Sequence, residues 1–163
     1  CITILVAVFL ALVQHNLQKL LSYHAVSQVG YMVLGIGTGT MIGALGGLFH
    51  MLNNSIYKSC LFLGGGTAIY NTGEDDLDKM GGLANSLPVT FITFLVAALA
   101  ISGIPPLNGF CSKWMVYQGV IELSRHGSYL WLIWLLAAVF GSALTLASFV
   151  KITHSIFLGK QKK

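Results

Sequence analysis

Apolar residues in this chain run in long unbroken stretches rather than in alternation. Five such segments stand out, at 1–13, 20–37, 42–70, 88–122 and 128–158. Continuous runs predict helices, because a membrane-spanning strand alternates apolar and polar positions over about ten residues. Leu87–Ser112 and Leu130–Val150 contain no charged residue, and each exceeds the roughly 20 residues that carry a helix across a bilayer core. Hydrocarbon offers no partner to a backbone amide, so a helix, which pairs its own, suits such a segment. The connections fall at 14–19, 38–41, 71–87 and 123–127, with a tail from Gly159. The 71–87 connection is the longest and the acidic one, holding Glu74, Asp75, Asp76 and Asp78. Ser86 is placed to cap the helix that follows, and Pro88 sits early enough for its missing N–H to be harmless.

The first segment opens at Cys1 inside an apolar run, Ile2–Val13. It lacks the basic flank and small-residue cleavage site of a signal peptide. It reads instead as the tail of a helix truncated at Cys1. The expectation is therefore one membrane domain over 1–163, a fragment of a longer subunit, built as an all-α bundle of about five transmembrane helices.

Composition agrees with the pattern. Hydrophobic residues make up 55% of the chain and charged residues only 9%, against about a quarter charged in a soluble domain. The partner implied for most of the exterior is a lipid bilayer. A net charge of +4 invites a nucleic-acid reading, but the basic residues cluster only at Lys160, Lys162 and Lys163. Those lie just past an apolar run, where a cytoplasmic flank explains them, so no nucleic-acid partner is expected. Alternate connections share a side. One side collects Lys19, Lys79 and the terminal lysines while the other has Arg125. By the excess of Lys and Arg on the inner face, loops 14–19, 71–87 and the C-terminus are expected in the cytoplasm, with the bundle in the inner (plasma) membrane.

Several features have plain explanations. Cys1, Cys60 and Cys111 show no CxxC spacing and are expected to be buried thiols. Gly35-Ile-Gly37-Thr-Gly39 looks like a nucleotide-binding turn, but no strand precedes it, and a turn between two helices is expected. Gly64-Gly65-Gly66 is expected to serve close helix packing. Asn53-Asn54-Ser55 matches a glycosylation acceptor but lies in mid-helix.

Chemistry concentrates in the third segment. His50, Asn54 and Lys58 are spaced four apart, so they climb one helix face. A polar stripe on an apolar helix must face protein or water. Lys58 is too deep in the segment to snorkel to either end. A buried ammonium is costly, which makes such a lysine a candidate for gaining and losing a proton. A structural ion pair is the competing explanation. The apolar segments hold no acidic residue other than Glu122 at an edge, so the partner for such a pair would have to come from elsewhere.

The fourth segment is broken. Ser102-Gly103-Ile104-Pro105-Pro106-Leu107-Asn108-Gly109 interrupts it near the middle. Two prolines remove N–H donors, so carbonyls near Ile101 and Ser102 lose their helical partners. Inside a membrane such an interruption persists only where protein buries it or a cavity adjoins it, and broken helices recur at transporter ion sites. Lys113 follows near the positive end of the second half-helix, which disfavours a cation. Lys151 and His154, three apart on the fifth segment, are open to two readings: snorkelling near the membrane edge, or an extension of a polar path from Lys113. His24, beside Tyr23, Ser27 and Gln28, adds to a polar face, while His15 and His126 are loop residues. No carboxylate pair, activated nucleophile, metal-ligand cluster, haem motif or iron–sulfur motif is present. Neither a cofactor nor a metal is expected in this chain, and no catalytic site is identified. A row of titratable groups within the membrane is the arrangement of a proton path.

Three stretches carry a family resemblance. They are Lys19-Leu-Leu-Ser-Tyr-His-Ala-Val-Ser-Gln-Val-Gly-Tyr-Met32; His50 through Lys58 with Leu61-Phe-Leu63; and Lys79-Met-Gly-Gly-Leu83 followed by Gly103-Ile-Pro-Pro-Leu-Asn-Gly-Phe-Cys-Ser-Lys113. Together they resemble the antiporter-like membrane subunits shared by respiratory complex I, membrane-bound energy-converting hydrogenases and Mrp-type sodium/proton antiporters. Ala147 through Gly159 is similar to the helix that follows in that family, in a style that leans towards the hydrogenase members.

The resemblance implies two inverted five-helix repeats, each half of a proton channel, with this chain covering the second and its discontinuous helix at 88–122. It implies that Lys58 is the central lysine, His50 its partnering histidine and Lys113 the lysine of the broken helix. Asn54 departs from the second histidine many members carry, so a relay there would need water. Gln18 and Asn16 replace charged residues often found before Leu-Leu-Ser-Tyr. The function implied is proton translocation in a redox-driven pump, with other membrane subunits and peripheral redox subunits as partners. The alternative is a subunit of an Mrp-type antiporter with no redox partner.

Overall fold

The computed structural model describes residues 1–127 and 129–160, leaving out the side chain of His126. Among the described residues the chain is helical, with no strand beyond an isolated bridge between Asn16 and Asp76. Six α-helices follow in order: α1 (Ile2–Leu12), α2 (Leu17–Gly37), α3 (Met41–Thr72), α4 (Pro88–Ser102), α5 (Asn108–Glu122) and α6 (Trp131–Thr153). A short 3₁₀ turn, Leu123–His126, leaves α5, and a wide π turn, His154–Leu158, ends α6.

Helix boundaries follow local chemistry. α2 starts at Leu17, ahead of the expected 20, because the Asn16 side chain accepts from Lys19 N at 3.0 Å and caps the helix. Thr40 caps α3 in the same way, accepting from Gly43 N. The cap expected of Ser86 is not formed. Leu87 takes that position without a side-chain bond, and Pro88 opens α4 as expected. Gly35 and Gly37 end α2, and the chain turns through Gly39 at φ +66° into α3, as expected of that cluster.

One end of the bundle gathers the connections 14–16 and 73–87 and the end of α6. Leu17 N donates to Asp75 O and Leu77 N to His15 O, each at 2.9 Å, while Leu83 N and Ala84 N donate to Ile156 O and Phe157 O. Backbone groups outside helices are thus paired with one another. Lys19, Lys79 and Lys160 therefore share this end, as the alternation of connections required. The other end holds the α2–α3 turn and the segment around Arg125.

The outer face is apolar. Ile2, Met41, Leu63 and Val89 are more than 70% exposed, a distribution that water does not favour over so large an area. By length and apolarity together, one helix among the described residues, Trp131–Leu158, suffices to cross a membrane, while Ile2–Leu12 and Pro88–Ser102 are apolar but shorter. The other segments differ from that pattern for physical reasons. α2 and α3 mix buried polar residues into their apolar length, and α4 and α5 are two halves of one interrupted segment. The thiols depart from expectation, since Cys111 is exposed on α5 and Cys60 is half-buried.

Small residues bring α3 against its neighbours. A methyl on Gly46 would press on Met115 and the Val116 amide at 2.8 Å, and one on Gly119 would meet the Gly43 backbone. Gly64 and Gly65 pack closely on Phe94 and Leu17, but Gly66 faces open space. Two of that glycine trio therefore serve the expected close packing.

Candidate functional site: a buried row of lysines and histidines

The break between α4 and α5 sets the site. Gly103 closes α4 at φ +82°, a conformation natural to glycine. The chain passes through Ile104 and the cis-linked Pro105-Pro106 pair and re-enters a helix at Asn108. Any side chain on Gly109 would strike the Ala100 carbonyl, so the two halves meet with only a hydrogen between them. Pro105 is the residue whose N–H would have served the Ile101 carbonyl, four residues earlier. That carbonyl is instead taken by Lys113, whose Nζ donates to Ile101 O at 2.8 Å. The freed acceptor expected from the sequence thus becomes the seat of the lysine.

Lys58 is held comparably, against α2. Its Nζ donates to the carbonyl of Leu21 and lies 5.4 Å from the Phe62 ring centroid. Lys58 is 7% exposed and Lys113 2%. Among the described residues the ion pairs are His15–Asp78 and Lys79–Glu74, all exposed. Neither buried lysine rests on a carboxylate. A buried ammonium satisfied by carbonyls and ring faces is less firmly fixed in charge than one in an ion pair.

Two histidines, His24 and His50, are likewise fully buried. His50 on α3 bonds through Nδ1 to Ser112 Oγ at 2.9 Å and through Nε2 to Gln28 Oε1 at 3.1 Å, with Tyr57 Oη also near Nε2 at 3.4 Å. His24 on α2 bonds through Nε2 to Ser148 Oγ of α6 at 2.8 Å and packs on Phe149. His24 Nδ1, Gln28 Nε2 and Asn54 Oδ1 are buried polar atoms without a protein partner among the described residues. Buried polar groups of this kind ordinarily find water.

Of the residues singled out in the sequence, folding buries Lys58, His24, His50 and Lys113, and Lys113 and His50 both adjoin the Tyr31 ring. Asn54 is half-buried beside them, without a protein partner for its oxygen. Lys151 and His154 diverge. Lys151 Nζ donates to Leu12 O at the end of α1, at 3.1 Å. His154 is exposed along an apolar groove of about 200 Å³ between α4 and α6. No described hydrogen bond joins either residue to Lys113. Folding also brings His15, Asp76 and Asp78 within 4.8 Å of one another at the exposed end. Its members come from two separate connections, so no sequence spacing marks it, and exposed groups of this kind are common without an ion.

Other residues belong to the site without having been marked. Asn53, rather than Asn54, makes the cross-helix bonds: its Nδ2 donates to Asn108 O at 3.1 Å, and Asn108 Nδ2 donates back to Asn53 Oδ1 at 3.0 Å. Ser112, Tyr57 and Tyr31 complete the shell. The available signal was helical spacing, since His24, Gln28 and Tyr31 share one face of α2.

Residues 1–145 match the sequence model of the transmembrane region of NADH:quinone oxidoreductase and Mrp antiporters. The chain belongs to this antiporter-like membrane family. It is 41% identical over 139 residues to formate hydrogenlyase subunit 3 of Escherichia coli (strain K12), covering 78% of this chain and 23% of that protein. A chain of the Mrp complex from Dietzia sp. DQ12-45-1b superposes with TM-score 0.87 and 34% identity over 97% of this chain and 28% of its own. A chain of respiratory complex I from Thermus thermophilus superposes with the same TM-score at 26% identity, over 99% and 33% respectively. The chain thus spans between about a quarter and a third of the length of these relatives. Antiporter-like subunits of this family occur in multisubunit membrane complexes, and the apolar exterior of this bundle suits an integral membrane module.

Proposed function

We propose that this chain forms the C-terminal half-channel of a proton-translocating subunit in a redox-driven ion pump of the complex I or membrane-bound hydrogenase type. In this reading it crosses the membrane five times, as the second of two inverted repeats, with α4 and α5 as one discontinuous crossing. Lys19, Lys79 and Lys160 mark the cytoplasmic face. Lys58 and Lys113 hold protons in turn, and His24 and His50 with their hydroxyl and amide partners join them. Lys151 and His154 flank the cytoplasmic edge of the path. Peripheral redox subunits supply the energy, and this chain needs no cofactor of its own.

The observation that carries the proposal is the pair of buried lysines seated on backbone carbonyls, with no carboxylate among the described residues to fix their charge. A side chain of this kind inside a membrane is costly and is retained for ion movement. The test is Lys58→Ala in the intact complex, reconstituted in vesicles. Pumping should be lost while electron transfer remains measurable, and pumping at the parental rate would sink the assignment.

A second reading, an Mrp-type sodium/proton antiporter subunit, is supported by a structural match to the Mrp complex as close as that to complex I. Purification of the native assembly separates the two. A co-purifying hydrogenase or iron–sulfur subunit supports the redox pump, and an assembly lacking redox subunits supports the antiporter.

A further inference from the structure

Tyr31 is fully buried on α2 and adjoins Lys113 of α5 and His50 of α3. Lys113 Nζ lies 4.7 Å from its ring centroid, and the His50 ring is 5.8 Å away on α3. The far end of the same side chain is anchored to α6. Its hydroxyl donates to Ala138 O at 2.7 Å and shares a hydrogen bond with Ser142 Oγ at 3.1 Å. Ser142 is bonded in turn to Tyr117 Oη at 2.7 Å. Gly141 leaves the space for this anchor, because a methyl there would approach the Tyr31 hydroxyl to 2.9 Å.

An ammonium offers three donors, and Lys113 places one on the Ile101 carbonyl. No carboxylate among the described residues neutralises the rest of its charge. An aromatic face is a neutral counterweight to a cation, and it gains strength where water is excluded. Unlike a carboxylate, it leaves the lysine free to lose its proton without stranding a buried anion.

We propose that Tyr31 is a positioning residue: its ring face holds the Lys113 ammonium, and its hydroxyl ties that ring to Ala138 and Ser142 of α6. Loading of Lys113 with a proton is thereby coupled to the seating of α6 on α2. This inference rests on the reading of Lys113 as a proton-holding group.

The experiment uses the intact complex in vesicles, with assembled complex quantified for each variant. Lys113→Ala comes first. Tyr31 is then replaced by Phe and by phenylalanines carrying one, two and three ring fluorines, which weaken the π face at nearly constant shape. Transport per assembled complex should fall stepwise with fluorine number, by roughly 2- to 30-fold across the series, the range set by the strength of a cation–π contact. If Tyr31→Phe does not assemble, ring-fluorinated tyrosines, which keep the hydroxyl, give the same comparison. Ser142→Ala, which loosens the anchor and spares the ring, should lower transport by a smaller factor. A flat fluorine series beside an inactive Lys113→Ala overturns the Tyr31 proposal alone. Full transport by Lys113→Ala overturns the functional reading and this inference with it. Transport unchanged by Ser142→Ala and also by Tyr31→Phe, which deletes the bond to Ala138 O as well, removes the link to α6.

Discussion

Gly46 lies where α3 packs tightly on α5, one turn before His50. A methyl at this position would sit 2.8 Å from Met115 Cβ and from the Val116 amide nitrogen, where ordinary contact begins at 3.4 Å. The shortfall is about 0.6 Å, and part of the obstruction is backbone, which cannot swing aside. Gly46→Ala must therefore wedge α5 away from α3. The same displacement applied to the His50–Ser112 bond stretches it from 2.9 Å to about 3.5 Å, the outer limit of a useful hydrogen bond. Overpacking costs about 1–3 kcal/mol, and the lost bond adds about 0.6 kcal/mol in a membrane interior. Alanine returns up to about 1 kcal/mol through helix propensity. The net expectation is a loss of about 1–3 kcal/mol, with impaired transport in the complexes that still assemble. Gly66→Ala is the matched control, because nothing lies within 4 Å of that position on the same helix. It should be neutral or stabilising by up to about 1 kcal/mol. The assay is the thermal midpoint of the solubilised complex together with proton transport in vesicles. Gly46→Ala behaving like Gly66→Ala in both measurements would refute the close α3–α5 contact and the geometry that follows from it.

Asn53→Ala removes both bonds between α3 and the first residue of α5. At about 0.6 to 1.7 kcal/mol for each bond in a membrane interior, the complex should lose about 1–3 kcal/mol of stability by thermal midpoint, whereas Asn54→Ala, at an oxygen without a protein partner, should lose less. Asn16→Ala should cost about 1 kcal/mol by removing the cap of α2. Asn16→Ser should restore part of it, since a serine hydroxyl accepts from the same amide without setting a second carboxylate against Asp75, to which Asn16 Nδ2 donates. Equal midpoints for Asn16→Ala and Asn16→Ser would show that the cap is not what holds that helix start.

The apolar runs of this chain determined its class, its helical segments and the position of the break, because each rests on local chemistry. A proline lacks an N–H in any fold, and a charge-free run of twenty or more residues has few alternatives to a helix. Helical spacing likewise sufficed to put His50 and Lys58 on one face. The finer register lay outside its reach: Asn53 and Asn54 differ by a quarter turn, and which of them meets Asn108 depends on where α5 lies. Lys113 was marked by its rarity, but its seat on Ile101 O depends on how the two half-helices stack at Gly109. Spacing showed His24 only as part of a polar face of α2, and its partner Ser148 comes from α6. Lys151 and His154, equivalent by spacing, were separated by what packs beside them, the end of α1 for one and the flank of α4 for the other. Sequence determined which residues are costly to bury, because that cost belongs to each side chain. Tertiary structure decided which carbonyls, rings and hydroxyls meet them, because those partners come from helices distant along the chain.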